Sequence, residues 1–250
     1  MKEKNLLPVS EVFYSIQGEG QTVGIPAVFL RLGGCNLLCE SENWVCDTIE
    51  VWRKSKATKF ENVLDENQLY HIVRNKAHLV ITGGEPMLHQ DAIINYLKWF
   101  ERTHHFLPTV EIETNGTIIP QDYFLEYHDI YFNVSPKLST AGKQNSFEQR
   151  VNIEALSTFY YKAKEPRKSI LKFVISCEKD VDEMFDDYLS ALFQVDYLGV
   201  QQQRVVLMPA GSSIDELNKT RLMVIEFCKK YGFRFSDRSH IVAWNKKTGV

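Results

Sequence analysis

Six short runs of β-branched and other apolar residues alternate with longer segments of helical spacing, at positions 27–32, 79–82, 110–114, 130–134, 171–176 and 205–208. That alternation constrains the fold more than any other feature. Parallel strands cannot be joined by tight turns, so strand–helix–strand order implies a parallel sheet with right-handed crossovers. Helical spacing is clear at Gln68, Leu69, Ile72, Val73 and Lys76, and again at Ile93, Ile94, Leu97 and Phe100. A third set is Val181, Met184, Phe185, Tyr188, Leu189 and Leu192. The last, over 214–231, carries Leu217, Leu222, Val224, Ile225 and Cys228 and stops at Gly232, a natural C-cap. A chain of 250 residues, 44% hydrophobic, can bury one full core, so 1–250 reads as a single α/β domain.

In such sheets the ligand site lies beyond the carboxyl ends of the strands. Here those ends carry Gly33-Gly34-Cys35, Thr82-Gly83-Gly84-Glu85-Pro86, Glu113-Thr114-Asn115-Gly116, Ser135-Pro136-Lys137 and Met208-Pro209-Ala210-Gly211. Each is weak alone: a Gly-Gly-Glu-Pro stretch can be a plain turn, and a lone Lys137 a solvated charge. Packing alone does not predict that small, polar and charged groups share one sheet edge. They are expected to converge on one cavity.

Cys35, Cys39 and Cys46 follow the first of these strands. Four thiolates would close a zinc site or saturate a cubane cluster; three leave one iron of a 4Fe–4S cluster open to a small molecule such as S-adenosylmethionine (SAM). Zinc completed by a distant His and unrelated core thiols stand beside that reading. Cys177 and Cys228 lie far apart in apolar segments and read as packing residues.

A net charge of −3 gives no reason to propose nucleic acid or an anionic membrane as partner. No apolar stretch approaches the roughly 20 residues of a membrane span, and residues 1–8 lack a signal-peptide core. Five cysteines, an odd number, fit reduced thiols in the cytoplasm. Residues 53–59 and 139–149 read as polar loops.

The segment Val12-Phe13-Tyr14-Ser15-Ile16-Gln17-Gly18-Glu19-Gly20, then Gly24-Ile25-Pro26 and Phe29-Leu30-Arg31-Leu32-Gly33-Gly34-Cys35-Asn36-Leu37, resembles the 7-carboxy-7-deazaguanine synthases. So do Cys46-Asp47-Thr48, the strand-end elements at 82–86, 113–116 and 135–137, and the tail from Ser239-His240 to Val250. The match runs in order through nearly the whole chain. The Gly-Gly-Glu-Pro element is shared by radical SAM enzymes generally, whereas Ser15-Ile16-Gln17-Gly18-Glu19-Gly20 is selective for this family.

The resemblance implies a partial (incomplete) β/α barrel of the radical SAM type with about six mainly parallel strands. It implies a lyase that converts 6-carboxy-5,6,7,8-tetrahydropterin to 7-carboxy-7-deazaguanine with loss of ammonia, in queuosine and 7-deazapurine biosynthesis. SAM would be regenerated after each turnover. Cys35, Cys39 and Cys46 would hold the 4Fe–4S cluster, and Thr48 a Mg²⁺ ion. Val45, Asp47, Gly83, Gly84, Glu85, Glu113, Asn115, Ser135, Pro136, Lys137 and Met208 would line SAM. Ile16, Gln17, Gly18, Glu19, Arg31, Thr82, His240 and the carboxylate of Val250 would bind the pterin. A homodimer and a reducing partner such as a flavodoxin or ferredoxin are implied as well. The usual spacing Cys-x3-Cys-x2-Cys is not kept: six residues separate Cys39 from Cys46, so that loop has to fold back. A glycyl-radical activase would share the thiol triad and Gly83-Gly84-Glu85-Pro86, and a non-catalytic metal protein the triad alone. Neither gives Gln17-Gly18-Glu19-Gly20 a role.

Overall fold

All six expected strands are present, side by side in one sheet. The computed structural model describes residues 5–40, 46, 49–127, 129–193, 202–247 and 249. Its strands are β1 (Leu6–Ile16), β2 (Pro26–Leu32), β3 (Lys56–Lys59), β4 (His78–Gly83), β5 (Val110–Thr114), β6 (Ile130–Val134), β7 (Ser169–Ile175), β8 (Val205–Pro209) and β9 (Arg234–Phe235). They lie in the order β3-β1-β2-β4-β5-β6-β7-β8-β9. The pairs β1–β3 and β1–β2 are antiparallel, and every pair from β2 to β9 is parallel. The sheet stays open, with β3 and β9 as its edges.

The period-two alternation of side chains separates two faces. One set, Leu30, Ile81, Ile112, Phe132, Phe173 and Leu207 among them, belongs to the main core with Tyr96, Phe100 and Val224 of the crossover helices. The helices Gln90–His104 and Ile214–Tyr231 fall where the spacing placed them, with Gly232 left-handed at φ 72°, whereas Glu66–Val73 stops short of Lys76, which is left-handed at φ 57° and lies beyond the helix. The opposite face is concave and polar. Arg31 pairs in register with Thr82, Glu113 with Asn133, and Lys172 of β7 sits opposite Val206. Strands buried on both faces usually read as unbroken apolar runs. Here the charged interruptions mark the concave side.

Two loop expectations are corrected. Residues 56–59 form β3, whose pairing with β1 needs only backbone hydrogen bonds, so no apolar pattern announced it; its lysines suit an edge that must not recruit another strand. Within 139–149 the chain makes a 3₁₀ turn, Ser139–Ala141, and starts the helix Phe147–Arg150. Among the described residues no helix is long and apolar enough to cross a membrane.

Candidate active site

The glycines at the end of β4 are dictated by the loop they press against. A Cβ on Gly84 would lie 1.8 Å from the Gly34 carbonyl oxygen, and one on Gly83, at φ 120°, would lie 2.3 Å from that of Leu32. The backbone of Gly84 and Glu85 donates across this contact, Gly84 N to Leu32 O at 3.0 Å and Glu85 N to Gly34 O at 2.8 Å. The ring of His89 is 2.7 Å from Gly33 O on the other side. The cysteine loop is therefore clamped at its first residues by backbone from the neighbouring strand.

Beyond the clamp, Leu37, Cys39 and Ala141 form a small buried cluster with Cys35 and Cys46 packed on it. Cys46 N donates to Cys39 O at 2.9 Å, so the long interval does return to the second cysteine. Asn145 brackets Leu38 by accepting from its N–H at 2.9 Å and donating to its carbonyl at 2.8 Å, and Gln144 donates to the carbonyls of Leu38 and Glu40. Burial pushes the Cys35 thiol up from 9.0 to about 11 and the Cys39 thiol up as well, only partly opposed by Lys137. Ionised sulfurs here need a cation to compensate them. Among the described residues no three His, Cys, Asp or Glu converge as one ion would require. A cubane spreads its thiolates over separate irons, which suits three cysteines around one small nest.

All three cysteines open onto one cavity of about 460 Å³ at the carboxyl ends of the strands. Gly83, Gly84, Glu113, Asn115, Ser135, Lys137 and Met208 line it, as do Ile16, Gln17, Gly18, Glu19, Arg31, Thr82 and His240. Residues widely separated in sequence are thus gathered as their strand-end positions implied. Glu85 stands behind the wall. It is fully buried and accepts from Thr114 Oγ1 and Asn115 N, each at 2.7 Å, and from Met87 N at 2.9 Å, which ties the ends of β4 and β5 together. Burial pushes its carboxyl up against those bonds. Pro136 is also buried and off the lining, while Val45, Asp47, Thr48 and Val250 lie outside the described residues.

Several lining groups are already engaged. Gln17 donates its amide to Glu111 Oε2 at 3.2 Å and Glu113 Oε1 at 3.1 Å, and accepts from Glu19 N at 3.2 Å. Thr82 donates to Glu113 Oε2 at 2.7 Å, and Asn115 bonds Asn36 and Thr117. Lys137 donates to Ser135 Oγ at 3.1 Å. Arg31 lies over the Phe13 ring, with Nε 3.2 Å from Glu11 Oε2 as an ion pair without hydrogen-bond alignment.

The far end of the cavity is set by groups the strand-end reading missed. Glu19 pairs with Lys172 of β7 and, at 2.8 Å, with Arg238; His240 is 3.8 Å away. Burial would raise the Glu19 carboxyl, but Lys172, Arg238 and His240 together hold it well below the usual range. Under it, fully buried Glu111 accepts from Gln17, from Thr22 at 2.7 Å and from Asn133 at 3.2 Å, and pairs with His78 at 2.6 Å. The signal for Lys172, Glu111 and Asn133 was a polar residue at an alternate position inside an apolar strand. Residues 238–247 and Gly249 close over this end: Ser239 N donates to Gly18 O at 2.9 Å, and a Cβ on Gly18 would meet His240 Nδ1 at 2.3 Å.

Residues 16–155, more than half of the chain, match the family described as a 4Fe-4S single cluster domain. Fold and thiol nest together thus define an iron–sulfur protein built on a mainly parallel, incomplete α/β barrel. The 7-carboxy-7-deazaguanine synthase of Pyrobaculum aerophilum is 35% identical over 243 residues, covering 96% of each chain. That of Halobacterium salinarum is 31% identical over 254 residues, covering 96% of this chain and 91% of the relative. The crystal structure of QueE from Escherichia coli superposes with a TM-score of 0.62 at 27% identity, over 94% of this chain and 95% of that one. The chain belongs to the 7-carboxy-7-deazaguanine synthase family.

Proposed function

We propose that this protein is a radical SAM lyase that converts 6-carboxy-5,6,7,8-tetrahydropterin to 7-carboxy-7-deazaguanine with loss of ammonia, in 7-deazapurine biosynthesis. One observation carries the reading: a single cavity joins the three thiols at one end to Gln17-Gly18-Glu19, Arg31, Thr82 and His240 at the other. Its far wall, formed by residues 238–247 and Gly249, suits a small molecule better than a protein surface.

The donor set fits the cofactors. Cys35, Cys39 and Cys46 would hold a 4Fe–4S cluster, and three thiolates leave one iron for SAM. Gly83, Gly84, Glu113, Asn115, Ser135, Lys137 and Met208 would hold SAM, with Glu85 and Pro136 supporting that wall from behind. When bound, cluster and SAM supply the one-electron chemistry that starts the rearrangement.

The protein's own groups would do the rest. The guanidinium of Arg31 offers a forked donor to a substrate carboxylate. Glu19, kept ionised, accepts from ring amino and N–H donors. Thr82 and His240 flank the same space, and Ile16 supplies an apolar wall. Mg²⁺ on Thr48, SAM contacts from Val45 and Asp47, and pterin contact from Val250 belong to the same proposal on the strength of the family motif. So do a single radical SAM domain over 1–250, a homodimer, a flavodoxin or ferredoxin as reductant, and a cytoplasmic setting.

The test is anaerobic reconstitution followed by turnover of the pterin. The expected result is about four irons per chain and many product molecules per SAM. Stoichiometric zinc without iron, or a strict one-to-one yield of 5′-deoxyadenosine and product, would overturn the reading. Mg²⁺ titration of Thr48→Ala should show weakened metal dependence with iron content intact; an unchanged titration would move the ion elsewhere.

A further inference from the structure

Lys172 occupies the middle of β7, only 5% exposed, on the concave face between Ile170 and Val174. Its Nζ donates to Glu19 Oε2, while Arg238 Nε donates to Oε1 of the same carboxylate at 2.8 Å. The two cations are not equivalent. Arg238 also donates to Gly211 O at 2.6 Å, which fastens the segment after β9 to the turn after β8. Among the described residues, the side-chain hydrogen bond of Lys172 goes to Glu19. Net stability is a poor reason for such a pair, because desolvating two charges offsets most of their attraction.

We propose that Lys172 is a positioning residue for substrate recognition, fixing Glu19 as an anion in one orientation so that it can only accept hydrogen bonds from the amino and ring N–H donors of a pterin. The inference rests on the reading of this cavity as the pterin site. An ionised carboxylate has no donor, whereas a protonated one does, so the charge on Glu19 decides which ring edge it can recognise. Burial alone would favour the protonated form. The groups facing Glu19 are Lys172 from β7 and Arg238 and His240 from the closing segment; Glu113 faces Lys172 from β5. Removing Lys172 takes away the largest compensating charge and leaves Arg238 and His240 to hold the anion, so the Glu19 carboxyl rises.

The experiment compares wild type, Lys172→Met, Lys172→Arg, Glu19→Gln and the Glu19→Gln/Lys172→Met pair as reconstituted enzymes with SAM. Binding of 6-carboxypterin by calorimetry and steady-state turnover of 6-carboxytetrahydropterin are followed from about pH 8 down to about pH 5.5. Wild-type Kd should stay flat over that range. Lys172→Met should raise Kd and KM about tenfold or more, more on KM than on kcat, and the loss should deepen as pH falls. Lys172→Arg should recover most of the affinity. On the Glu19→Gln background, Lys172→Met should add less than about twofold, because its only route is through the missing charge.

Wild-type affinity and pH profile in Lys172→Met, or additive losses in the pair, would overturn the inference while wild-type turnover still upheld the pterin reading. If wild type neither binds nor turns over the pterin, both fall. Should Lys172→Met not fold, the wild-type profile decides: a flat Kd supports the inference, and a tenfold weakening at low pH that Glu19→Gln abolishes overturns it.

Discussion

The two ends of the cavity are prepared in opposite ways for negative charge. At the cysteine end, burial pushes Cys35 and Cys39 up, and Lys137 offsets it only in part. At the Glu19 end, Lys172, Arg238 and His240 outweigh burial and hold the carboxyl down. The protein thus brings its own counter-charge to one end and leaves the other to be completed by a metal. Half of the site is electrostatically finished before any ligand arrives.

The largest effect should come from the unfinished end. Cys35→Ala, Cys39→Ala or Cys46→Ala should each abolish turnover, with iron analysis showing loss of the cluster. Cys228, buried behind β8, and Cys177 do not line the cavity, so Cys177→Ala and Cys228→Ala should retain a full iron complement. A Cys39→Ala enzyme that kept its cluster and activity would break the contrast.

One added methyl group at each end should separate the two further. Gly84→Ala sets a Cβ against backbone, 1.8 Å from Gly34 O, which cannot move without carrying Cys35 with it. The cost should be about 3 kcal/mol in denaturant unfolding, with iron loading lost. Gly18→Ala meets mainly the His240 ring, at 2.3 Å, which can turn away, while the His240 backbone N at 3.0 Å has to give by only a few tenths of an ångström. It should raise pterin KM about tenfold and leave iron content near normal.

The raised thiols make a pH prediction for the protein before loading. A raised Cys35 favours the protonated fold, so its contribution is complete below about 9 and is lost as pH climbs towards about 11. Melting of the metal-free protein should fall by a few degrees across that window, and by less in Cys35→Ala. The cluster-loaded enzyme, whose thiolates are compensated, should be flatter. Equal alkaline profiles for both forms would contradict the assignment. The smallest effect should be that of Asn145→Ala, which removes the bracket on Leu38 and should cost about 1 to 2 kcal/mol with slower reconstitution.

The sequence made the rim legible because strand ends carry chemistry in parallel α/β folds; five of the six runs fell within observed strands, and the sixth overran β7 by Ser176 alone. What it concealed was pairing. Gln17, Asn115 and Glu85 look like ligand groups in sequence, yet their hydrogen-bonding atoms are engaged with other protein groups, and only the folded structure reveals which polar groups already have partners. Lys172 and Glu111 were hidden for the opposite reason: within strongly apolar strands a single charged residue reads as noise until the concave face is known. β3 left no pattern, since an edge strand of four residues with a lysine at each end draws its support from backbone.

The Glu19 ion pairs also place the site in time. Glu19 and Lys172 are 153 residues apart, and Glu19 and Arg238 are 219 apart, whereas most strand neighbours from β4 onward are consecutive along the chain. Local crossovers can dock one after another at modest loop-closure cost, but these two contacts need the sheet assembled from β2 to β9. During refolding, helical signal should return well before affinity for the pterin, and a chain trapped part-way would carry helices and strands yet have no anion fixed to read its substrate.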